Sequence, residues 1–136
     1  MRSFRPMLFT SREYIGKRAN FDDLSDMVTD FFKEEGFKIQ SMKHPSGNIV
    51  QARKGGIFRT LLGNNDAFTL IIDGHPAHFR IRLGVSEWLD RNGSGDLDQF
   101  FVFPFKRFKD IPEALWAYEL EHHLWHYIEN QIELAR

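Results

Sequence analysis

Two stretches of this chain hold residues whose type and spacing could do chemistry. The first, Asp90 to Asp98, reads D-x-N-x-S-G-D-L-D, the opening positions of an EF-hand-like Ca²⁺ loop. Asp90, Asn92, Ser94 and Asp98 offer side-chain oxygens, Asp96 a carbonyl, and Gly95 stands where the loop turns sharply. The position that should supply a bidentate Glu is Phe101. Any Ca²⁺ affinity therefore falls below the signalling range unless Glu87 or another carboxylate substitutes, and a solvated hairpin tip has the same composition. The second stretch places His122 and His126 one helical turn apart, flanked by Glu119 and Glu129. That spacing can chelate Zn²⁺, with a carboxylate as third ligand. His123 stands where a zincin has Glu, so the protease reading lapses, and a solvated helix face with Glu–His pairs explains the same residues. No nucleophile elbow or phosphate-cradling Gly-rich loop occurs, so no catalytic residue is named and catalysis is not the favoured reading.

Binding surfaces come next. If Phe79, Ile81 and Leu83 point into a core, alternation puts His78, Arg80 and Arg82 on the opposite face of the strand. Gln51 and Arg53 join that face if Val50 and Ala52 point inward, as do Lys38, Gln40, Met42, Thr69 and Ile71. An open face of this kind suits an anionic ligand or a phosphate backbone, although polar-out alternation is also what any half-exposed antiparallel sheet shows. Residues 100–109 interleave Phe with Lys106, Arg107 and Lys109, a mixture found both on single-stranded nucleic-acid platforms and in core strands with snorkelling cations.

The elements that position these residues follow from periodicity. Leu24, Met27, Val28, Phe31 and Phe32 repeat at helical spacing, with Asn20 or Asp22 to cap the start and Gly36 to end it, which predicts a helix over about 21–35. Strands are expected at about 7–15, 37–43, 48–54, 57–62, 67–73, 77–83 and 99–103, with Gly, Asn and Pro in the turns between them. Short connections make neighbouring strands pair as a meander. Asp110 and Pro112 open a second helix, about 111–134, apolar over more than half its girth and so gripped by a sheet or a partner.

The expected fold is a single α+β domain over 1–136, an antiparallel meander sheet of five to seven strands packed by an N-terminal and a long C-terminal helix. In element order it resembles one repeat of the TATA-binding-protein fold and the helix-grip fold of START-like lipid-binding domains. That resemblance is confined to outline and implies no activity.

Composition bounds the rest. With 136 residues the chain can bury its own core, and no apolar run is long enough to span a membrane. Zero Cys removes thiolate sites and disulfides, and fits a reducing cytoplasm best. Residues 1–20 hold five cations against Glu13, whereas 110–136 hold six carboxylates against Arg136. Either the basic end seeks an anionic partner or the two ends meet and neutralise. Fourteen Phe residues exceed what alternation can bury in one core, so some must line a cavity, meet a partner or cover a sheet edge. The favoured reading is a binding or protein-interaction domain, using the Arg-bearing sheet face or a Phe-rich cleft under the C-terminal helix. Its partner would be a small apolar or anionic ligand, a protein or a second copy. Nucleic acid is the alternative, and a Ca²⁺ or Zn²⁺ protein the second alternative.

Overall fold

The computed structural model describes residues 9–53, 66–89, 100–101, 105 and 114–134. In chain order these form β1 (Phe9–Ile15), α1 (Phe21–Glu34), β2 (Lys38–His44), β3 (Gly47–Arg53), β4 (Asp66–His75), β5 (His78–Glu87) and α2 (Ala114–Leu134). The strands make one antiparallel sheet in the order β1-β5-β4-β3-β2. The class is α+β, as expected, and β2 to β5 form the meander. β1 closes the far edge by pairing with β5, from Phe9↔Gly84 to Ile15↔His78.

Helix α1 begins and ends where side-chain chemistry tells it to. The Asn20 Oδ1 accepts from the Asp23 N–H at 3.0 Å, and Asp22 and Asp23 occupy the first turn, where the helix dipole favours carboxylates. Gly36, at φ 88, terminates it: Gly36 N–H donates to the Lys33 carbonyl and Phe37 N–H to that of Phe32, both at 3.0 Å. This is a Schellman ending, with Phe37 packed on Phe32 at a ring separation of 5.2 Å.

Both hairpins turn through two residues whose first is proline, Pro45-Ser46 and Pro76-Ala77. Proline's fixed negative φ excludes the primed turns that usually match strand twist. A glycine beside each turn takes the positive φ instead: Gly47 at 153° and Gly74 at 114°. The residue before each proline steadies its turn, His44 Nδ1 accepting from Ser46 N–H at 3.0 Å and His75 Nδ1 from Ala77 N–H at 3.2 Å.

One face of the sheet carries both helices. Val50, Ala52, Phe68, Leu70, Ile72, Phe79, Ile81 and Leu83 point into this layer, as alternation requires, and meet Leu24, Val28 and Phe32 of α1 and Leu120, Leu124, Trp125, Ile128 and Ile132 of α2. Each of the larger side chains contributes about 1.5–3 kcal/mol on burial. α1 lies over β2 and β3. α2 lies over β1: Glu121 accepts from Thr10 Oγ1 at 2.6 Å, Glu129 from Tyr14 and Arg12 at 2.7 and 2.9 Å, and Glu133 from Lys17 at 2.7 Å. Arg12 also stacks 4.6 Å over Trp125, whose indole N–H donates to Thr10 at 2.9 Å. Basic start and acidic end thus meet inside one molecule. Among the described residues no helix is long and apolar enough to cross a membrane.

One expected element is different. Residues 99–103 read as a strand, yet Phe100 and Phe101 have helical backbone. Phe and Val favour strands only where a pleated, half-buried neighbour is available. Here the two residues lie across the second face of the sheet, where Phe101 packs on Ile49 and Ile71 with Met42, Leu89 and Phe105 around it. The expected strand at 57–62 and the start of the second helix, 111–113, lie outside the described residues.

Candidate functional site

The sheet face expected to be open is covered over much of its extent. Gln40, Gln51, Thr69, Arg82 and Ser86 project from it, as alternation predicts, but all five are buried, Gln51 and Thr69 at 0 % exposure. They form a polar ladder across β2, β3, β4 and β5. Gln51 Oε1 accepts from Gln40 Nε2 at 2.8 Å and from the Leu89 N–H at 2.9 Å. Its Nε2 has two hydrogens for three acceptors: Thr69 Oγ1 at 3.0 Å, Ser86 Oγ at 3.1 Å and the Glu87 carbonyl at 2.8 Å. Thr69 and Ser86 hydroxyls join each other at 2.5 Å. Gln40 Nε2 also reaches the Leu89 carbonyl at 2.9 Å, so two glutamines hold both sides of one residue's main chain.

The arginines of this face among the described residues already have counterparts. Arg80 grips Asp73 with two bonds of 3.2 and 3.0 Å, and Arg82 Nη2 shares that carboxylate at 3.0 Å while donating to the Phe101 carbonyl at 2.8 Å. Asp73 holds the Arg80 pKa up, whereas burial pulls that of Arg82 down. The Arg82 Nε–H is the one buried side-chain polar atom without a partner among the described residues. His78 lies 2.6 Å from Glu13, and Arg53 stacks 4.0 Å over Trp88. The sequence placed Gln51, Arg53, His78, Arg80 and Arg82 on one face, and they are on one face. What it did not foresee is a covering layer over Gln51 and Arg82. Lys106 and Arg107 lie outside the described residues.

Among the described residues the candidate metal ligands do not form a cluster. Asp90, Asn92, Ser94, Asp96 and Asp98 lie outside the described residues. His122 and His126 are exposed on α2 with ring centroids 5.7 Å apart. Of the two carboxylates expected to assist them, Glu129 is turned toward Arg12 and Tyr14, and the Glu119 side chain lies outside the described residues. Among the described residues no group of three or more His, Cys, Asp or Glu could hold an ion.

A different feature is concave and open. Where the first two turns of α1, the 18–20 connection, the β4–β5 turn and the last turn of α2 meet, a cleft of about 1000 Å³ opens to solvent. Ala19, Leu24 and Ile132 form its buried floor, and half-buried Phe21 and Met27 with Leu134 its apolar walls. Leu134 is 78 % exposed, and the only other exposed large hydrophobic among the described residues is Ile15. Arg18, Asp22, Asp23 and Asp26 stand at the rim.

Comparison with protein families, curated proteins and solved structures adds nothing to this geometry. None of them matches the chain.

Sequence reading missed the cleft because its residues come from four separate elements. No local signal marked Leu134, because at about 100° per residue it falls in line with Trp116, inside the apolar arc read from the sequence.

Proposed function

We propose that this domain is a binding module whose partner is a protein, docked through an apolar anchor that enters the cleft between the start of α1 and the end of α2. The observation that carries this reading is the exposed Leu134 beside half-buried Phe21 and Met27, an apolar lining left in contact with water. Apolar surface gathered in a concavity favours association, because covering it removes it from water at about 25 cal/mol per Å². Binding rather than catalysis is favoured by the charge chemistry: among the described residues, five of the six groups with shifted pKa, Tyr14, Asp22, Lys43, Arg80 and Arg82, are engaged in ion pairs or hydrogen bonds within the fold, and the sixth, Tyr127, is raised first by burial.

The test is a selection from a random peptide library displayed on phage, run in parallel on the wild-type domain and on Leu134→Asp. Leu134 lies at a helix end with little of its surface buried, so the variant should fold. Peptides enriched on the wild type and lost on the variant are expected. Peptides that bind both proteins equally would place the docking surface elsewhere.

A further inference from the structure

We infer that the segment received by this cleft carries cations beside its apolar anchor, an inference that rests on the docking role proposed above. The rim charges choose the sign. Asp22 is committed: Lys43 lies 2.7 Å from one of its oxygens and Asn48 Nδ2 donates to the other at 3.0 Å. Those two contacts, Lys43 first, hold its carboxyl below the usual range. Asp23 and Asp26 have no ion-pair partner among the described residues, and both are exposed. Asp23 has a sufficient local reason for its place, since a carboxylate in the first turn complements the helix dipole. Asp26, a turn further along, lies beyond that zone and serves neither the cap nor the core. Among the described residues Arg18 is the one cation lining the cleft, set against these two carboxylates, of which Asp26 feels Lys43 but forms no ion pair with it. A partner with Lys or Arg next to an aliphatic or aromatic side chain satisfies both the walls and the rim. An acidic partner would bring like charge to Asp23 and Asp26.

The probes are two short synthetic peptides with the same Leu-Phe anchor, one flanked by Lys and the other by Glu, followed by fluorescence anisotropy with the full chain. The Lys-flanked peptide should bind and weaken as salt is raised, and the Glu-flanked peptide should not bind. Asp26→Asn, and Asp23→Asn with Asp26→Asn, should lower the affinity of the Lys peptide, the double variant by about two- to thirtyfold, since each exposed pair contributes about 0.2–1 kcal/mol. Equal binding of both peptides that Leu134→Asp abolishes would overturn the charge inference and leave the cleft as the docking site. An affinity for the Lys peptide unmoved by the Asp variants would do the same. Binding by neither peptide would overturn both readings.

Discussion

Replacing Gln51 by Leu tests how the second face of the sheet is covered. Leu keeps nearly the same volume, so no cavity term enters and the cost is that of hydrogen bonds alone. Most of the groups that lose Gln51 keep another partner. Thr69 and Ser86 hydroxyls retain each other, Gln40 Nε2 retains the Leu89 carbonyl, and the Glu87 carbonyl retains a bond of 3.3 Å from Ser86 Oγ. Among the described residues the Leu89 N–H has only Gln51 Oε1, at 2.9 Å, and is left without it. One part-buried amide stripped of its acceptor costs up to about 1–3 kcal/mol, and about 2 kcal/mol is taken as the expected value. For a chain of this length that lowers the melting temperature by roughly 8 °C, at about 4 °C per kcal/mol. The same loss should speed hydrogen exchange at the Leu89 amide by roughly 30-fold, while amides of β3 and β4 change only with global stability. Thermal melting with residue-resolved exchange measures both. A melting point within about 1 °C of wild type, together with unchanged protection at Leu89, would refute the idea that the glutamine ladder holds the covering segment.

Two further perturbations follow from other parts of the fold. Gly47→Ala should abolish folding or cost more than about 3 kcal/mol, because a Cβ there would sit 2.0 Å from the Ile72 carbonyl oxygen; circular dichroism and expression level report it. Tyr14→Phe removes the hydroxyl that donates to Glu129 at 2.7 Å and should cost about 1 kcal/mol in denaturant titrations near neutral pH. Burial first, and then Glu129, push the Tyr14 pKa well above its ordinary value, so its share of stability is complete below about pH 10, where an unfolded tyrosine ionises, and falls as pH rises beyond that. The Phe variant should lack that part of the alkaline decline, and an identical decline in both proteins would refute the assignment.

Much of the fold could be read from the residues because local physics decided it. The Asn20 cap, the Gly36 stop and the alternation through Val50, Leu70 and Ile81 depend on neighbours a few positions away, and each stands where the sequence put it. Alternation states which side a residue faces and is silent on what lies beyond. Gln40, Gln51, Thr69 and Ser86 are polar, and nothing in their spacing tells a solvated face from one whose polar groups bind a crossing main chain. The clue was elsewhere, in the surplus of Phe: Phe100, Phe101 and Phe105 are among the residues that cover that face. The charge asymmetry left two outcomes open, and long-range packing decided for contact between Arg12, Lys17, Glu129 and Glu133. The cleft is a property of four elements meeting, which no local window contains.

The stitching of β1 to α2 has a consequence for how the chain comes together. Thr10, Arg12, Tyr14 and Lys17 meet helix residues 111 to 117 positions away in sequence. During synthesis β1 leaves the ribosome before β5, which follows only after α1 and β2 to β4, and α2 emerges after β5. Contacts that close such long loops are slow to form and stabilise the fold only after their closure entropy has been met. The β2–β5 meander with α1 is therefore the natural early unit, and β1 stays without its pairing strand until β5 emerges and without its helix until α2 emerges. For that interval an unpaired strand is available to other chains, so the edge that completes the domain is also its point of exposure to misassembly.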